Sequence, residues 1–599
     1  MAWCDRGATR IPGSLRWLLA AMSLAGWIGG APAHAQTPTT TPSALVTDDP
    51  NEGVRLPPSQ ADGLSIDRVY VHLVNPSGDA ARDAADRAAL EDAFAVKAGG
   101  TFNDVLTALA LRDLLLRPDV DAAEYRLYRS DDSSAIILAL IVRTRRAAPK
   151  PAAGSKGLLA SRRWSDFPTL YEDDRSQVRV ALNPSVGVYG DRQAWLGNPR
   201  SFNPRYETPS ALAWPEFGLE AGASGIVRAG QSPVYVYGAA SYVLSGTLAQ
   251  DVFSAKEQRV HGEAEKLHGG LLVARRGGRA AFDLSIGRQK FSLNRHLVFG
   301  FVLGSTNGGD RGASYLSPRQ AQDLVVNARF RVGKTVIQGF LADPNELPVA
   351  DSRSRYVGLN LRYNDNRRLD ASLTIAGATA SATAYTVPDG RDLRREGIRV
   401  VNPRVKWSTA FGVPGLWLEG EVGREWHADF DMAARAMGAW ACYRFASAPW
   451  RPAVLYRYSI FSGDDPTTPT YERFDPLLGG VQRDWLQGLV MVKMMNNANL
   501  EAHRVEVSVK PRPGMELLVD VYKFRARELN NLGGARPLQA LGSRDLGYEI
   551  TPTLQWSVTP NMYIQALASF KAPGQGMALA LPQPARTWST FQLSLYGGF

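Results

Sequence analysis

The last nine residues, FQLSLYGGF, alternate between apolar and polar side chains. Phe591, Leu593 and Leu595 occupy one phase of the alternation, Gln592 and Ser594 occupy the other, and an aromatic residue follows at the C-terminus. Such an ending is typical of the closing strand of an outer-membrane barrel. Backbone groups in lipid must pair internally, so a β-protein there has to close into a barrel.

The N-terminus predicts secretion. Arginines precede a short apolar run over 17–28, and Ala33-His34-Ala35 fits a cleavage site, so we expect residues 1–35 to be a signal peptide. The run is shorter than the roughly 20 residues of a membrane span, which disfavours the alternative of a signal anchor. Cleavage would remove Cys4 and leave Cys442 alone, so neither an intramolecular disulfide nor a structural zinc site is expected.

Composition divides the rest of the chain into four parts. Residues 36–62 are rich in Thr and Pro and predict a flexible periplasmic linker. Residues 63–146 predict a small α+β module, and a second linker rich in Pro, Ala and Gly follows over 147–161. Residues 162–599 lose the helical periodicity and predict an all-β transmembrane antiparallel β-barrel.

The pattern of the small module predicts the order β-α-α-β-β. Its strands are expected over 66–74, 124–129 and 135–142, and its helices over 80–96 and from a cap at Asn103 to a stop at Pro118. This order, with the letters GGTFN at the start of the second helix, resembles a POTRA domain. The resemblance implies a periplasmic module that binds partners by strand addition at a sheet edge.

In the C-terminal part an apolar phase repeatedly opposes a polar phase. Val357, Leu359 and Leu361 oppose Asn360 and Arg362, and the same opposition recurs over 323–332, 439–445, 454–460 and 504–510. One face suits lipid and the other suits water. At about 24 residues per strand and connection, the length predicts roughly 18 strands, with 16 as the alternative, around an aqueous channel.

The excess of positive charge lies in the predicted barrel. Residues 1–160 carry 17 basic and 18 acidic side chains, whereas residues 161–599 carry 51 basic and 40 acidic ones, most of the basic ones arginine. The planar guanidinium suits recognition of carboxylate and phosphate. The excess therefore predicts a cation-lined passage, or alternatively ordinary solvation of long loops and contact with lipopolysaccharide.

Several short motifs lie in the C-terminal part. They are GRQ at 287–289, YRYS at 456–459, SGDDP at 462–466, FDPL at 474–477, NANL at 497–500 and LGYEI at 546–550. Together they resemble the signature of the alginate-export family of outer-membrane barrels. The resemblance implies about 18 strands, export of an anionic exopolysaccharide, and an Arg-rich, constricted lumen gated by loops.

The fused module departs from the alginate exporter, which works with a separate periplasmic partner, and suggests another polymer or a periplasmic coupling within one chain.

Inward-facing charges are expected to carry such a polymer. A polyuronate has one carboxylate per sugar, and inward arginines offer bidentate hydrogen bonds that must be numerous and individually weak. Inward acidic groups would pair with the arginines and keep them from trapping the polymer. The expected pore-lining residues are Arg329, Arg331, Arg362, Arg444, Arg457, Arg504, Glu419, Glu421 and Glu506. A structural salt bridge is the alternative role for each arginine.

Other features concern metal binding, catalysis and the membrane interface. Asp464 and Asp465 could bind Ca²⁺, although a turn with solvated carboxylates is the favoured interpretation. The histidines do not pair with a nucleophile at a recognisable spacing, so no enzyme, cofactor or nucleic-acid partner is expected. Trp588 and Phe599 are interpreted as aromatic girdle residues at the membrane interface.

The sequence thus favours a channel in the outer membrane of a Gram-negative bacterium that exports an alginate-like polysaccharide by facilitated diffusion, with its N-terminal module in the periplasm. Its expected partners are outer-membrane lipid, the anionic polysaccharide, and periplasmic secretion-complex or synthase components. The alternatives are a POTRA-barrel protein translocase or assembly factor, although the V-R-G-[FY] element of that family is not found, and a general anion-uptake porin.

Overall fold

A computed structural model of the 599-residue chain describes most of the residues that follow the predicted signal peptide. The described ranges are 53–130, 135–145, 169–173, 175–195, 211–254, 256–275, 280–301, 305–387, 389–479, 484–534, 538–581 and 585–598. The signal peptide, residues 36–52 of the first linker, the second linker and Phe599 lie outside them. No helix within these ranges is long and apolar enough to span a membrane. The described residues belong to one compact unit, 47–599.

Residues 53–145 form a small α+β module. Its elements are α1 (Pro58–Ala61), β1 (Ser65–Leu73), α2 (Ala80–Ala93), α3 (Asp104–Leu115), β2 (Val120–Arg129) and β3 (Ala135–Thr144). β3 lies between the other two strands, parallel to β1 and antiparallel to β2. Asn103 caps α3 as predicted, because its side-chain oxygen accepts the Leu106 N–H at 3.0 Å. Apart from α1, the order of elements is the predicted one; the resemblance to a POTRA domain stays a prediction.

The described part of the predicted first linker belongs to this module. Val54 and Leu56 are each 2% exposed and pack into the module core. The Leu56 N–H donates to the Leu127 carbonyl at 2.9 Å, and the Arg129 N–H donates to the Val54 carbonyl at 2.9 Å. Residues 54–56 therefore extend the sheet along β2, because their alternate apolar side chains cover the core while their backbone pairs with the strand edge.

Eighteen antiparallel strands close into a barrel, as predicted. They are β5 (Ser176–Arg192), β6 (Ala211–Arg228), β7 (Val234–Thr247), β8 (Arg259–Ala274), β9 (Ala280–Lys290), β10 (Ala321–Val332), β11 (Thr335–Asp343), β12 (Arg355–Asn364), β13 (Leu369–Ala380), β16 (Ile398–Ser408), β17 (Leu416–His427), β18 (Ala434–Arg444), β19 (Ala453–Phe461), β20 (Leu500–Arg512), β21 (Met515–Ala526), β22 (Asp545–Thr559), β23 (Met562–Pro573) and β24 (Trp588–Gly597). β24 pairs with β5 and completes the ring, and the short β4 (Thr169–Glu172) pairs with the start of β5. A small hairpin of β14 (Ala384–Tyr385) and β15 (Leu393–Arg394) lies in the connection after β13, and a helix, α4 (Gln575–Ala580), lies in the connection after β23.

The two ends of the barrel differ in their connections. Turns as short as Gly333–Lys334 and 513–514 join strands at one end, which we call the turn end, and longer connections such as 291–320 and 462–499 lie at the other, which we call the loop end. β5 begins and β24 finishes at the turn end. The predicted alternation is confirmed on the strands: Leu359 is 62% exposed on the outer face, while its neighbour Asn360 is 4% exposed on the inner face.

One aromatic prediction is wrong. The sequence predicts Trp588 in a girdle at the membrane interface, but it is fully buried inside the barrel. Its indole Nε1–H donates to the Asp191 carboxylate at 2.6 Å. Trp588 shares the inward phase of β24 with Thr590 and Ser594, and this phase places the ring in the lumen.

The lumen is filled from both ends, which corrects the expectation of a wide aqueous channel. The α+β module occupies the turn end, and the described parts of the connections 291–320 and 462–499 fold inward from the loop end. Inward-facing Glu421 and Arg457 are only 1% and 0% exposed as a result. The strand count predicted the width of the barrel, but the segments that fill it come from outside the strands.

Candidate functional site

The module contacts the inner wall of the barrel on several sides. The Asp62 carboxylate lies 2.6 Å from the Lys266 ammonium of β8, and the Lys406 ammonium of β16 lies 2.8 Å from the Asp67 carboxylate. Arg129 donates to the Tyr563 hydroxyl of β23 at 3.2 Å and lies over its ring. These strands are spread around the ring, so the module sits within the turn end of the lumen.

The Asp62 contact is electrostatically favourable despite its burial. Burial raises the pKa of the Asp62 carboxyl, but the ammonium groups of Lys266 and Lys290 more than offset this effect and hold the pKa below its usual value. The charged form is therefore the stable one where the module meets β8. Breaking such a buried pair by removing one partner is generally costly, because the other charge stays buried.

The turn between β12 and β13 binds the edge of β1 that does not pair with β3. The Asn366 amide accepts the Val69 N–H at 2.8 Å and donates to the Val69 carbonyl at 2.6 Å. Asn366 adopts a positive φ of 62°, a conformation that asparagine tolerates better than most residues. In β12 itself, the Asn364 amide donates to the Asp67 carbonyl at 3.1 Å. Barrel side chains thus form hydrogen bonds with the backbone of β1, the edge strand of the module.

At the loop end, two connections meet inside the lumen. The Gly300 N–H donates to the Leu478 carbonyl at 3.0 Å, and the Leu478 N–H donates to the Val298 carbonyl at 3.1 Å. Phe299 packs against Phe340 of the wall with ring centroids 5.1 Å apart. We call segments 291–301, 474–479 and 484–499, which lie within the lumen here, the infolded loops.

The FDPL motif builds one infolded loop. The Asp475 carboxylate accepts bonds from Arg395 Nε at 2.7 Å and Nη2 at 3.1 Å, and from the Tyr385 hydroxyl at 2.9 Å. Phe474 packs against Phe461 with centroids 6.0 Å apart. The motif therefore anchors the loop to its neighbours and directs the following residues into the lumen.

Trp485 lies at the centre of the infolded loops. Its ring meets Trp440 nearly edge-on with centroids 5.0 Å apart, and its Nε1–H donates to the Glu421 carboxylate at 3.1 Å. Nearby, Arg457 Nη2 donates to the Leu486 carbonyl at 3.0 Å and to the Gln487 side-chain oxygen at 2.9 Å. Glu421 and Arg457, both predicted pore-lining residues, therefore hold the loop in place.

Buried ion pairs run along the wall between the infolded loops and the module. This ion-pair chain consists of Asp484, Arg295, Glu419, Arg404, Asp370 and Arg362. At its centre, Arg404 Nε lies 2.6 Å from Glu419 and Nη1 lies 2.9 Å from Asp370. Arg362 also donates to the Ser65 hydroxyl, so the chain reaches the module. Loops and module are linked through alternating charges.

The remaining predicted residues lie on the inner phase of other strands. Arg504 pairs with Asp520 at 2.6 Å and with Glu506, and Arg444 donates to a turn carbonyl, that of Arg451, at 3.0 Å. At the turn end, Arg329 Nε donates to the Asp283 carboxylate at 3.0 Å. Arg331 lies near Arg329 and makes no hydrogen bond or ion pair with any residue that the structure describes. Substrate contact by these residues stays a prediction.

Sequence reasoning missed several members of the ion-pair chain. Arg404 and Asp370 lie on inward phases of β16 and β13 and could have been found by the same alternation as Arg362. Arg295 and Asp484 lie in the infolded loops, where no periodicity marks the direction of a side chain.

The paired aspartates of the SGDDP motif have hydrogen-bonding roles within their loop. The Asp464 carboxylate accepts the Glu472 N–H at 3.0 Å, and the Asp465 carboxylate accepts the Thr467 N–H at 2.9 Å. Among the residues that the structure describes, there is no group of three or more His, Cys, Asp or Glu that could hold a metal ion.

Comparisons with known proteins concern both the sequence and the fold. A family described as "Alginate export" matches residues 277–578, about half of the chain. No curated protein matches the chain. Similar solved structures include OccK7 (OpdD) of Pseudomonas aeruginosa, which is 11% identical and covers 71% of this chain and 98% of its own, with a TM-score of 0.41. OccAB2 of Acinetobacter baumannii is 9% identical and covers 71% of this chain and 98% of its own, with a TM-score of 0.45. OpdK of Pseudomonas aeruginosa, solved with vanillate, is 10% identical and covers 70% of this chain and 98% of its own, with a TM-score of 0.42.

Proposed function

The chain belongs to the alginate export family of outer-membrane barrels, and we propose that it exports an anionic exopolysaccharide through the arginine-bearing inner wall of its lumen. The observation that carries the proposal is the ion-pair chain. Its guanidinium groups are those of Arg362 and Arg404 on the wall and of Arg295 in an infolded loop, so they lie between the module and the loop end. We infer a transport role rather than catalysis.

The alternating charges suggest how a polyanion would move. In the resting channel, Arg404 is held by the carboxylates of Glu419 and Asp370. A uronate carboxylate has the same geometry as these side chains and would replace them one at a time on each guanidinium. Because one carboxylate is exchanged for another, Arg404 is not left unpaired, and the displaced Glu419 and Asp370 keep Arg295 and Arg362 as partners. No single contact then traps the polymer.

Export requires that the module and the infolded loops leave the path. Both the module and the end of β24 lie at the turn end, which we assign to the periplasm. The polymer would then meet the module first, pass the ion-pair chain, and leave where the infolded loops meet at Gly300 and Leu478. The channel described here is its closed form.

A reversible cross-link tests whether module displacement opens the channel. A Cβ built on Gly99 of the module lies 3.1 Å from the Asn364 Cβ of β12, close to the Cβ separation of about 3.8 Å in disulfides. In a Cys442→Ala background, Gly99→Cys/Asn364→Cys is expected to abolish conductance and polymer transport when oxidised and to restore both on reduction. Gly99→Cys alone and Asn364→Cys alone are the matched controls for the strain of a side chain at the positive φ of Gly99. Equal conductance of the oxidised and reduced forms would contradict the closed-form assignment.

The same reduced channel tests the substrate. Polyuronate oligomers are expected to block anion current, with residence times that lengthen with oligomer size, whereas neutral glucans of equal length leave the current unchanged. Equal block by the neutral polymer would contradict the arginine path. Anion current without any dependence on oligomer length would favour the alternative function of a small-anion uptake porin.

A further inference from the structure

A cavity of about 460 Å³ lies between the module and the barrel wall at the turn end. One side is formed by α3 and the segment that follows α2, and the other by the inner faces of β7 to β11. Leu116 and Arg275 border it and are exposed, so its mouth opens at the turn end. We call it the module–wall cavity.

Most of this cavity is apolar. Leu106 and Leu109 of α3 face Leu272 and Val336 of the wall across it. Among its uncharged polar groups, the Asn103 side-chain oxygen is engaged as the cap of α3, and the buried Thr107 hydroxyl has no partner among the described residues. A hydroxyl-rich sugar would leave many hydrogen-bonding groups unpaired in such a place, whereas a hydrocarbon body would lose nothing by entering it.

The charged groups of the cavity are unbalanced. The lining carries five cations, Lys97, Arg117, Arg275, Arg329 and Arg331, and three carboxylates, Asp92, Asp113 and Asp283. Asp283 is already engaged by Arg329 and by the Tyr237 hydroxyl, and Arg117 is paired with Asp119 outside the lining.

Lys97 and Arg331 are two of the cations that remain, and the carboxylates of Asp92 and Glu91 offset the charge of Lys97 only in part. The Lys97 ammonium donates to the backbone carbonyls of Glu91 and Asp92, the latter at 2.9 Å, and Arg331 makes no bond to a residue that the structure describes. Burial, followed by the nearby positive charge of Arg331, lowers the pKa of Lys97 to about 8. Like charges at the edge of an apolar cavity are stabilised by a shared counter-anion.

We propose that the module–wall cavity binds an amphipathic monocarboxylate, with the carboxylate between Lys97 and Arg331 and its hydrocarbon body along Leu106, Leu109 and Leu272. The site combines an anion-binding head with an apolar body, in the manner of small-molecule pockets that are mostly hydrophobic with a few placed polar groups. Half of the site belongs to the module and half to the wall. The proposal does not depend on the export function.

Decanoate binding to the full-length protein tests the site. Calorimetric titration in nanodiscs of neutral lipid, with empty nanodiscs as the blank, is expected to show saturable binding. Arg331→Gln should weaken binding by about tenfold or more, because a charge-assisted hydrogen bond is lost. Ala281→Phe, which fills the cavity from β9 without changing its charge, should also weaken it. Arg355→Gln removes an exposed arginine at the loop end and should leave the affinity unchanged.

Two results would overturn the proposal. One is an unchanged decanoate affinity in both Arg331→Gln and Ala281→Phe. The other is a glucuronate oligomer that, added before the titration, reduces decanoate binding as much as a second fatty acid does, since this would make the cavity part of a sugar path. Failure of the site would leave the export function untouched, because the export tests use conductance and polymer block.

Discussion

Removal of the Asn366 side chain should weaken the docking of the module against the barrel wall. In Asn366→Gly, the Val69 N–H and carbonyl both lose their partner at the turn between β12 and β13. Each hydrogen bond contributes about 1 kcal/mol, and stranding the two backbone groups adds to the loss, so docking should weaken by about 2–4 kcal/mol. At 1.4 kcal/mol per tenfold change, the undocked fraction should rise roughly 30- to 900-fold.

Hydrogen exchange of the Val69 amide in the full-length protein measures this change. When local opening precedes exchange, the exchange rate follows the population of the open form, so it should rise by the same factor. The Leu138 amide lies in β3, the central strand of the module, and should stay protected if the module undocks without unfolding. A parallel rise at Leu138 would mean that the module has unfolded rather than undocked.

A second variant separates hydrogen bonding from backbone strain. Asn366→Ala loses the same two hydrogen bonds, and alanine at a positive φ also costs about 1 kcal/mol more than glycine. That strain lies in the turn of the barrel and is present whether or not the module is docked. The two variants should therefore match in Val69 exchange and differ in barrel stability. Unchanged Val69 exchange in Asn366→Gly would refute the reasoning.

Two further predictions concern the loop half of the lumen. Arg404→Met leaves the buried Glu419 carboxylate to Arg295 alone and the Asp370 carboxylate to Arg362 alone. Two charge-assisted hydrogen bonds are lost, so the free energy of unfolding in urea titrations should fall by about 2–4 kcal/mol, whereas exposed Arg355→Met should change it by less than about 1 kcal/mol. Similar losses in the two variants would contradict this role of the ion-pair chain. Trp485→Phe keeps a ring but loses the hydrogen bond to Glu421, so single channels should open more often while the unfolding transition shifts by only about 1–3 kcal/mol. An unchanged opening frequency would mean that Trp485 does not hold the loop.

Local patterns predicted the wall of the barrel and the elements of the module. Alternation with a period of two predicted the outward face of Leu359 and the inward face of Arg362, and side-chain capping predicted the start of α3 at Asn103. These features depend on neighbours a few residues away. The same alternation assigns Trp588 to the inner face of β24, and the prediction of a girdle residue does not take this phase into account.

The contents of the lumen could not be predicted in the same way. The infolded loops have no periodicity, and the direction of Arg295 follows from its pairing with Glu419, which lies more than 100 residues away in the chain. The contact of Asp62 with Lys266 likewise joins two ordinary surface-type residues of distant segments. The sequence carries charges of both signs, but only the fold decides which of them are neutralised inside the barrel.

The outer edge of β1 has a consequence for any partner of the module. That edge is occupied at Ile66 by the backbone of Gly100 and at Val69 by Asn366 of the barrel. An incoming strand would need these same backbone groups, so it and the barrel turn are competitors for one surface. Binding of such a partner and release of the module must then favour each other by the same factor, because linkage is reciprocal. A protein that extends this sheet would therefore shift the channel toward its open form, because it displaces the contact of the module with Asn366.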